Sequence, residues 1–125
     1  MILAVGLDLT LLPFDCSLPG ISNSFTALMC FRREELFDEI LQIEKHEGRD
    51  VPENFNSLLS REGNYEETHF GITTKSKIGP LKYVTSEKLA TLVNHEGVND
   101  NPINKATWSY LNELEPNTKV ALYWG

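Results

Sequence analysis

The chain carries an apolar, strand-like segment at each end, and any fold it adopts must hold both. Residues 1–12 are rich in Ile, Leu and Val and start without polar alternation, as a central strand buried on both faces does. Residues 120–124 read Val-Ala-Leu-Tyr-Trp, a second apolar run expected beside the first. Between them lies the clearest helix, residues 33–47. Leu36, Phe37, Ile40 and Leu41 fall on one stripe, opposed by Glu34, Glu35, Asp38, Glu39, Gln42 and Lys45. Acids crowd its first turn and Lys45 and His46 stand near its end, as the helix dipole favours, with Gly48 expected just past the last turn.

Two more helices follow from the pattern. Residues 86–94 start at a Thr85 or Ser86 cap and bury Leu89, Leu92 and Val93. Residues 102–114 open on Pro102 and bury Ile103, Ala106, Thr107 or Trp108, Tyr110, Leu111 and Leu114. The apolar stretch 25–31 suits a strand or the first turns of the next helix, and 81–84 a strand. Residues 69–73 suit another strand, and 52–59 a short helix with Phe55, Leu58 and Leu59 inward. Pro13, Pro19 and Gly20 mark 13–23 as a loop, 63–79 is polar and turn-rich, and 94–102 reads as a loop. The expected fold is a single α+β domain over residues 1–125, a small mixed β-sheet packed by about three helices. At 125 residues and 41% hydrophobic composition it buries enough surface to fold without a metal or disulfide.

Charge is placed unevenly. The net charge is −7, which argues against nucleic acid and anionic membrane as partners. Residues 34–67 hold eleven acids against three bases, whereas the remainder holds seven acids against eight bases. The acidity therefore has an address, and Glu34, Glu35, Asp38 and Glu39 are its candidate partner-binding residues. Outside that stretch, Thr73-Thr74-Lys75-Ser76-Lys77 is a basic, hydroxyl-rich loop. Thr74, Lys75 and Lys77, with His69, Asp8 and Thr10, are the candidate contacts for a small anionic ligand, phosphorylated or nucleotide-like. No apolar run approaches the roughly 20 residues of a membrane span. Met1 to Val5 is too short before Asp8, and lacks the basic start, for a secretion signal, so a cytoplasmic location is expected. Cys16 and Cys30 sit among apolar residues and read as buried free thiols.

The chemistry-bearing patterns are incomplete. Asp8, Thr10 and Leu11 resemble the close of the first motif of haloacid-dehalogenase-type phosphatases, Asp-x-Asp-x-Thr-Leu. Gly6 stands where the nucleophilic carboxylate would attack phosphorus. Gly6-Leu7-Asp8 also resembles the opening of RNase H-like resolvases, whose metal chemistry needs further acids on other strands. His46 and His95 each occur as His-Glu-Gly, read as a helix C-terminus followed by Gly. There is no His-Glu-x-x-His, no nucleophile elbow and no phosphate-loop motif. No metal or cofactor is expected.

Gly6-Leu7-Asp8, Phe37, His69-Phe70-Gly71, Gly79-Pro80 and Glu87-Lys88-Leu89-Ala90 stand in an order that, over about half the chain, resembles an uncharacterised group of small bacterial and phage proteins. Members carry acids and a glycine after the histidine strand, where this chain has Thr73 to Lys77. The resemblance implies fold and cellular context only, the cytoplasm of a bacterium or of a phage-infected host. The leading expectation is a non-enzymatic binding protein, an inhibitor or adaptor of a phage or mobile element. It would act through the acidic stretch 34–67 or a loop pocket. The alternatives are a binder of a small phosphorylated ligand and a metal-dependent phosphoesterase centred on Asp8. Two exposed strand edges leave the oligomeric state open.

Overall fold

The computed structural model describes residues 8–14, 27–51, 75–76 and 78–125. Residues 1–7 of the expected first strand lie outside these, and the centre of the sheet is built from residues 9–14 and the closing apolar segment. Strand β1 (Leu9–Phe14) runs antiparallel to β7 (Lys119–Trp124), in register from Leu9 opposite Trp124 to Phe14 opposite Lys119. Paired backbone bonds between Asp8 and Gly125 extend the ladder by one residue. Side chains alternate across a strand. Leu9, Leu11, Val120, Leu122 and Trp124 therefore enter the main core, and Leu12, Phe14 and Ala121 a second cluster with Leu81. Both clusters are buried, which is why β1 reads as a continuous apolar run.

Among the described residues three further strands join the sheet, β2 (Leu28–Cys30), β3 (Arg49–Asp50) and β6 (Lys82–Thr85), in the order β2-β1-β7-β6-β3. A separate two-stranded ribbon joins β4 (Lys75–Ser76) to β5 (Gly79–Pro80). Gly79 there adopts φ 133°, a conformation that a side chain would strain. The fold is α+β as expected. The sheet expected to be mixed is antiparallel in every described pairing. Within the stretch 25–31, Leu28–Cys30 form the strand β2, at the edge of the sheet among the described residues, and residues 25 and 26 lie outside the described residues. Pro13 and Phe14, expected in a loop, continue β1 past Leu11↔Leu28, the last pair recorded with β2.

Helix α1 (Glu34–Glu47) matches expectation and buries Leu36, Phe37 and Ile40. The Phe37 ring meets Trp124 edge-on at 5.5 Å, and the Trp124 indole N–H donates to Glu44 Oε1 at 3.0 Å. Helix α2 (Ser86–Ala90) stops four residues short of the expected Asn94. Leu92 and Val93 bond back to Leu89 and Ala90, three residues behind, so the chain tightens into a turn. The expected 94–102 loop contains a short helix, α3 (Glu96–Asn99).

Helix α4 (Pro102–Glu113) lies where expected and buries the expected Thr107, Trp108 and Leu111, but its buried face takes in Asn104 in place of Ile103, Ala106 and Tyr110. Asn104, Thr107, Trp108 and Leu111 face inward, whereas Ile103, Ala106 and Tyr110 are exposed. The reason is the edge of the sheet. Asn104 Oδ1 accepts from the Phe31 N–H at 2.6 Å, and its Nδ2 donates to the Phe31 carbonyl at 3.0 Å. Thr107 Oγ1 donates to the Met29 carbonyl at 2.7 Å. These side chains stand in for a neighbouring strand, satisfying backbone groups that a bare edge would expose. Apolar periodicity favours Ile103 over Asn104, so that part of the buried face differs from expectation.

Candidate functional site

A cavity of about 520 Å³ lies where β2 leads into α1 and α3 begins. Arg32, Arg33, Glu34, Glu35, His95 and Glu96 line it together with Leu36 and Gly97. Arg33 caps α1 without a side-chain bond to the first turn. The acids Glu34 and Glu35 instead compensate the positive end of the helix dipole. Both arginines are engaged by acids from elsewhere: Arg32 donates to Asp8 at 2.8 Å, and Arg33 pairs with Asp100. His95 accepts at Nδ1 from the Gly97 N–H at 2.9 Å, so any proton of its neutral ring is on Nε2.

This corrects one expectation. His95-Glu96-Gly97 does not end a helix; His95 is the N-cap of α3. Only His46-Glu47-Gly48 closes a helix, with the Gly48 N–H bonded to the Glu44 carbonyl at 2.8 Å. Gly48 has φ −67°, so it is needed for room and not for a left-handed turn: a Cβ there would sit 2.4 Å from the Glu44 carbonyl oxygen.

The sequence candidates divide as follows. Asp8 is tied to Arg32 at the cavity rim, and Thr10 is half-buried in β1 between Met29 and Tyr123. The two sets of candidates, Asp8 on one side and Glu34 and Glu35 on the other, thus meet around Arg32. Glu39 is exposed and Asp38 half-buried on the same helix. Lys75 belongs to β4, opposite Pro80. His69, Thr74 and Lys77 lie outside the described residues, as do Cys16, the 52–59 helix and the 69–73 strand. Among the described residues no three of His, Cys, Asp and Glu gather as a metal site. Cys30 is a free thiol, which burial pushes up to about 12, so it remains protonated. No described helix is long and apolar enough to cross a membrane.

A second, smaller cleft of about 270 Å³ was not legible in the sequence. Arg49, Lys88 and Lys119 line it with Glu47, Tyr83, Thr85 and Asn117. Its cations come from β3, α2 and β7, so each is a solitary surface charge along the chain and no local pattern marks it. Comparison with known proteins finds no matching family model, no matching curated protein and no matching solved structure.

Proposed function

We propose that the protein is a non-catalytic binding module, an inhibitor or adaptor that docks a basic protein partner on the outer face of α1. One observation carries this reading. Glu34, Glu35 and Glu39 stand exposed on a helix whose opposite face is pinned by fully buried Leu36, Phe37 and Ile40. The acids therefore sit on a fixed platform, which lowers the ordering cost of binding. Arg32 and Arg33 do not cancel them, because Asp8 and Asp100 already neutralise those two cations. Exposed charge of this kind contributes more to encounter rate and specificity than to raw affinity.

The test is partner capture followed by kinetics on the isolated pair. Replacing Glu34, Glu35 and Glu39 together by Lys is expected to slow association at least roughly tenfold, and raising salt should erase most of that difference. Equal association rates for the two proteins would remove the acidic-face reading.

A further inference from the structure

We propose that His95 is a proton-operated latch: neutral, it holds the first turn of α3 against the start of α1, and protonated, it lets that turn loosen. The inference concerns the isolated protein and stands whether or not the acidic face binds a partner. It rests on a hydrogen bond with a fixed direction. Neutral imidazole has one bare nitrogen, and here that nitrogen is Nδ1, which accepts from the Gly97 N–H at 2.9 Å. His95 makes no other side-chain hydrogen bond among the described residues. An imidazolium carries a hydrogen on both nitrogens and accepts nothing. Its Nδ1–H would face the Gly97 N–H, donor against donor, so the ring has to turn away. The backbone of His95 is held meanwhile. Its N–H donates to the Leu92 carbonyl at 2.9 Å, and its carbonyl accepts from the Val98 and Asn99 N–H groups at 3.0 and 3.1 Å. Turning the ring therefore strips the acceptor from an N–H in a buried residue, Gly97.

The change reaches α1 because Gly97 lies directly against it. A Cβ on Gly97 would come within 2.8 Å of the Leu36 Cβ and 3.1 Å of the Arg33 Cβ. Two further ties hold α3: the Gly97 carbonyl accepts from Asn104 Nδ2, and Asp100, just past its last turn, pairs with Arg33. Neither contains an imidazole, the side chain whose charge ordinarily changes between about pH 5 and 8. The charged groups around the ring are Glu96 on α3 itself and Arg32, Arg33, Glu34 and Glu35 at the entry to α1. Asp8 and Asp100 engage the two arginines. From α4, the charged residues Lys105 and Glu113 are exposed, and the group that meets α3 is the neutral Asn104.

The experiment is an NMR titration of the isotope-labelled protein from about pH 8 to about pH 5.5, a window above the ordinary range of carboxylates. It follows the ring nitrogens of His95 and the amides of Gly97, Val98 and Asn99. At the alkaline end the ring should carry its hydrogen on Nε2. As the ring gains its second hydrogen, the Gly97 amide should shift with the same midpoint. Exchange protection of the three amides, corrected for the intrinsic effect of pH, should fall about fivefold. His95→Asn keeps a capping acceptor and removes the imidazole, so its three amides should hold still across the window. His46→Gln, at an exposed position, should respond as the parent does. Melting curves confirm that each variant is folded; should His95→Asn fail to fold, His95→Ser gives the same reading. A Gly97 amide that ignores the titration of the His95 ring overturns the proposal. So does a neutral ring with its hydrogen on Nδ1, or a parent-like response in the folded His95→Asn or, failing that, His95→Ser variant.

Discussion

The tripeptide His-Glu-Gly occurs twice in this molecule and does opposite work at its two positions. At residues 46–48 it closes α1: His46 and Glu47 are exposed, and Gly48 leaves the helix in an extended conformation. At residues 95–97 it opens α3: the imidazole of His95 caps the helix and Gly97 is buried. Gly97 is enclosed on two sides. A Cβ there would come within 2.8 Å of the Leu36 Cβ, and its carbonyl accepts from Asn104 Nδ2 at 2.8 Å. The local sequence is the same, so the difference comes from what is packed around it. One copy ends against water; the other is clamped between α1 and α4.

The comparison can be tested by breaking the clamp first. Asn104→Ala removes a fully buried side chain that makes three hydrogen bonds, to both polar groups of Phe31 and to Gly97. It should cost about 3–5 kcal/mol, read as a lower urea midpoint, because each orphaned group carries its own desolvation penalty. A loss below about 1 kcal/mol would mean that the edge of β2 is held by other means. Gly97→Ala should follow at about 2 kcal/mol, since Leu36 is fixed in the core and cannot yield easily.

The two histidines then separate the copies directly. His95→Ala should lose about 1 kcal/mol with the cap. His46→Ala, at an exposed position, should stay within about 0.5 kcal/mol. Equal losses would contradict the assigned roles.

The smallest effect concerns Glu44, whose carbonyl receives the Gly48 N–H. Burial raises the pKa of its carboxyl, and the Trp124 hydrogen bond and Lys82 only partly offset this. The folded state therefore holds the proton to higher pH than the unfolded chain. The stability this confers is complete below the ordinary carboxylate range and is lost as pH rises through the raised value. Glu44→Gln keeps an acceptor for Trp124 without that loss. It should melt slightly above the parent near neutral pH, with the gap closing below about pH 4. A gap unchanged across that range would show that ionisation of Glu44 is not the cause.

How legible the molecule was in its sequence varied with the kind of contact involved. Helix α1 was readable almost to the residue, because a stripe of Leu36, Phe37, Ile40 and Leu41 backed by acids has one stable arrangement. The pairing of β1 with β7 was readable because runs apolar on both faces have to lie inside a sheet. The burial of Asn104 on α4 was not, since the residue is polar and only its hydrogen bonds to the Phe31 backbone and to Gly97 make that burial favourable. The acidic candidates could be named from charge counting alone. The cleft at Arg49, Lys88 and Lys119 could not, because its cations are distant in sequence and converge only through strand register and the placement of α2.

The sequence by itself determined the α+β class, the central apolar strands, the course of α1 and the location of the acidic surplus. These follow from composition and periodicity, which act over a few residues. Only the tertiary structure decided that β2 would be sealed by side chains of α4, that one His-Glu-Gly would start a helix, and that three separate cations would share a cleft. Each of those depends on a partner far along the chain. Burial and hydrogen bonding are settled by such partners and not by local sequence.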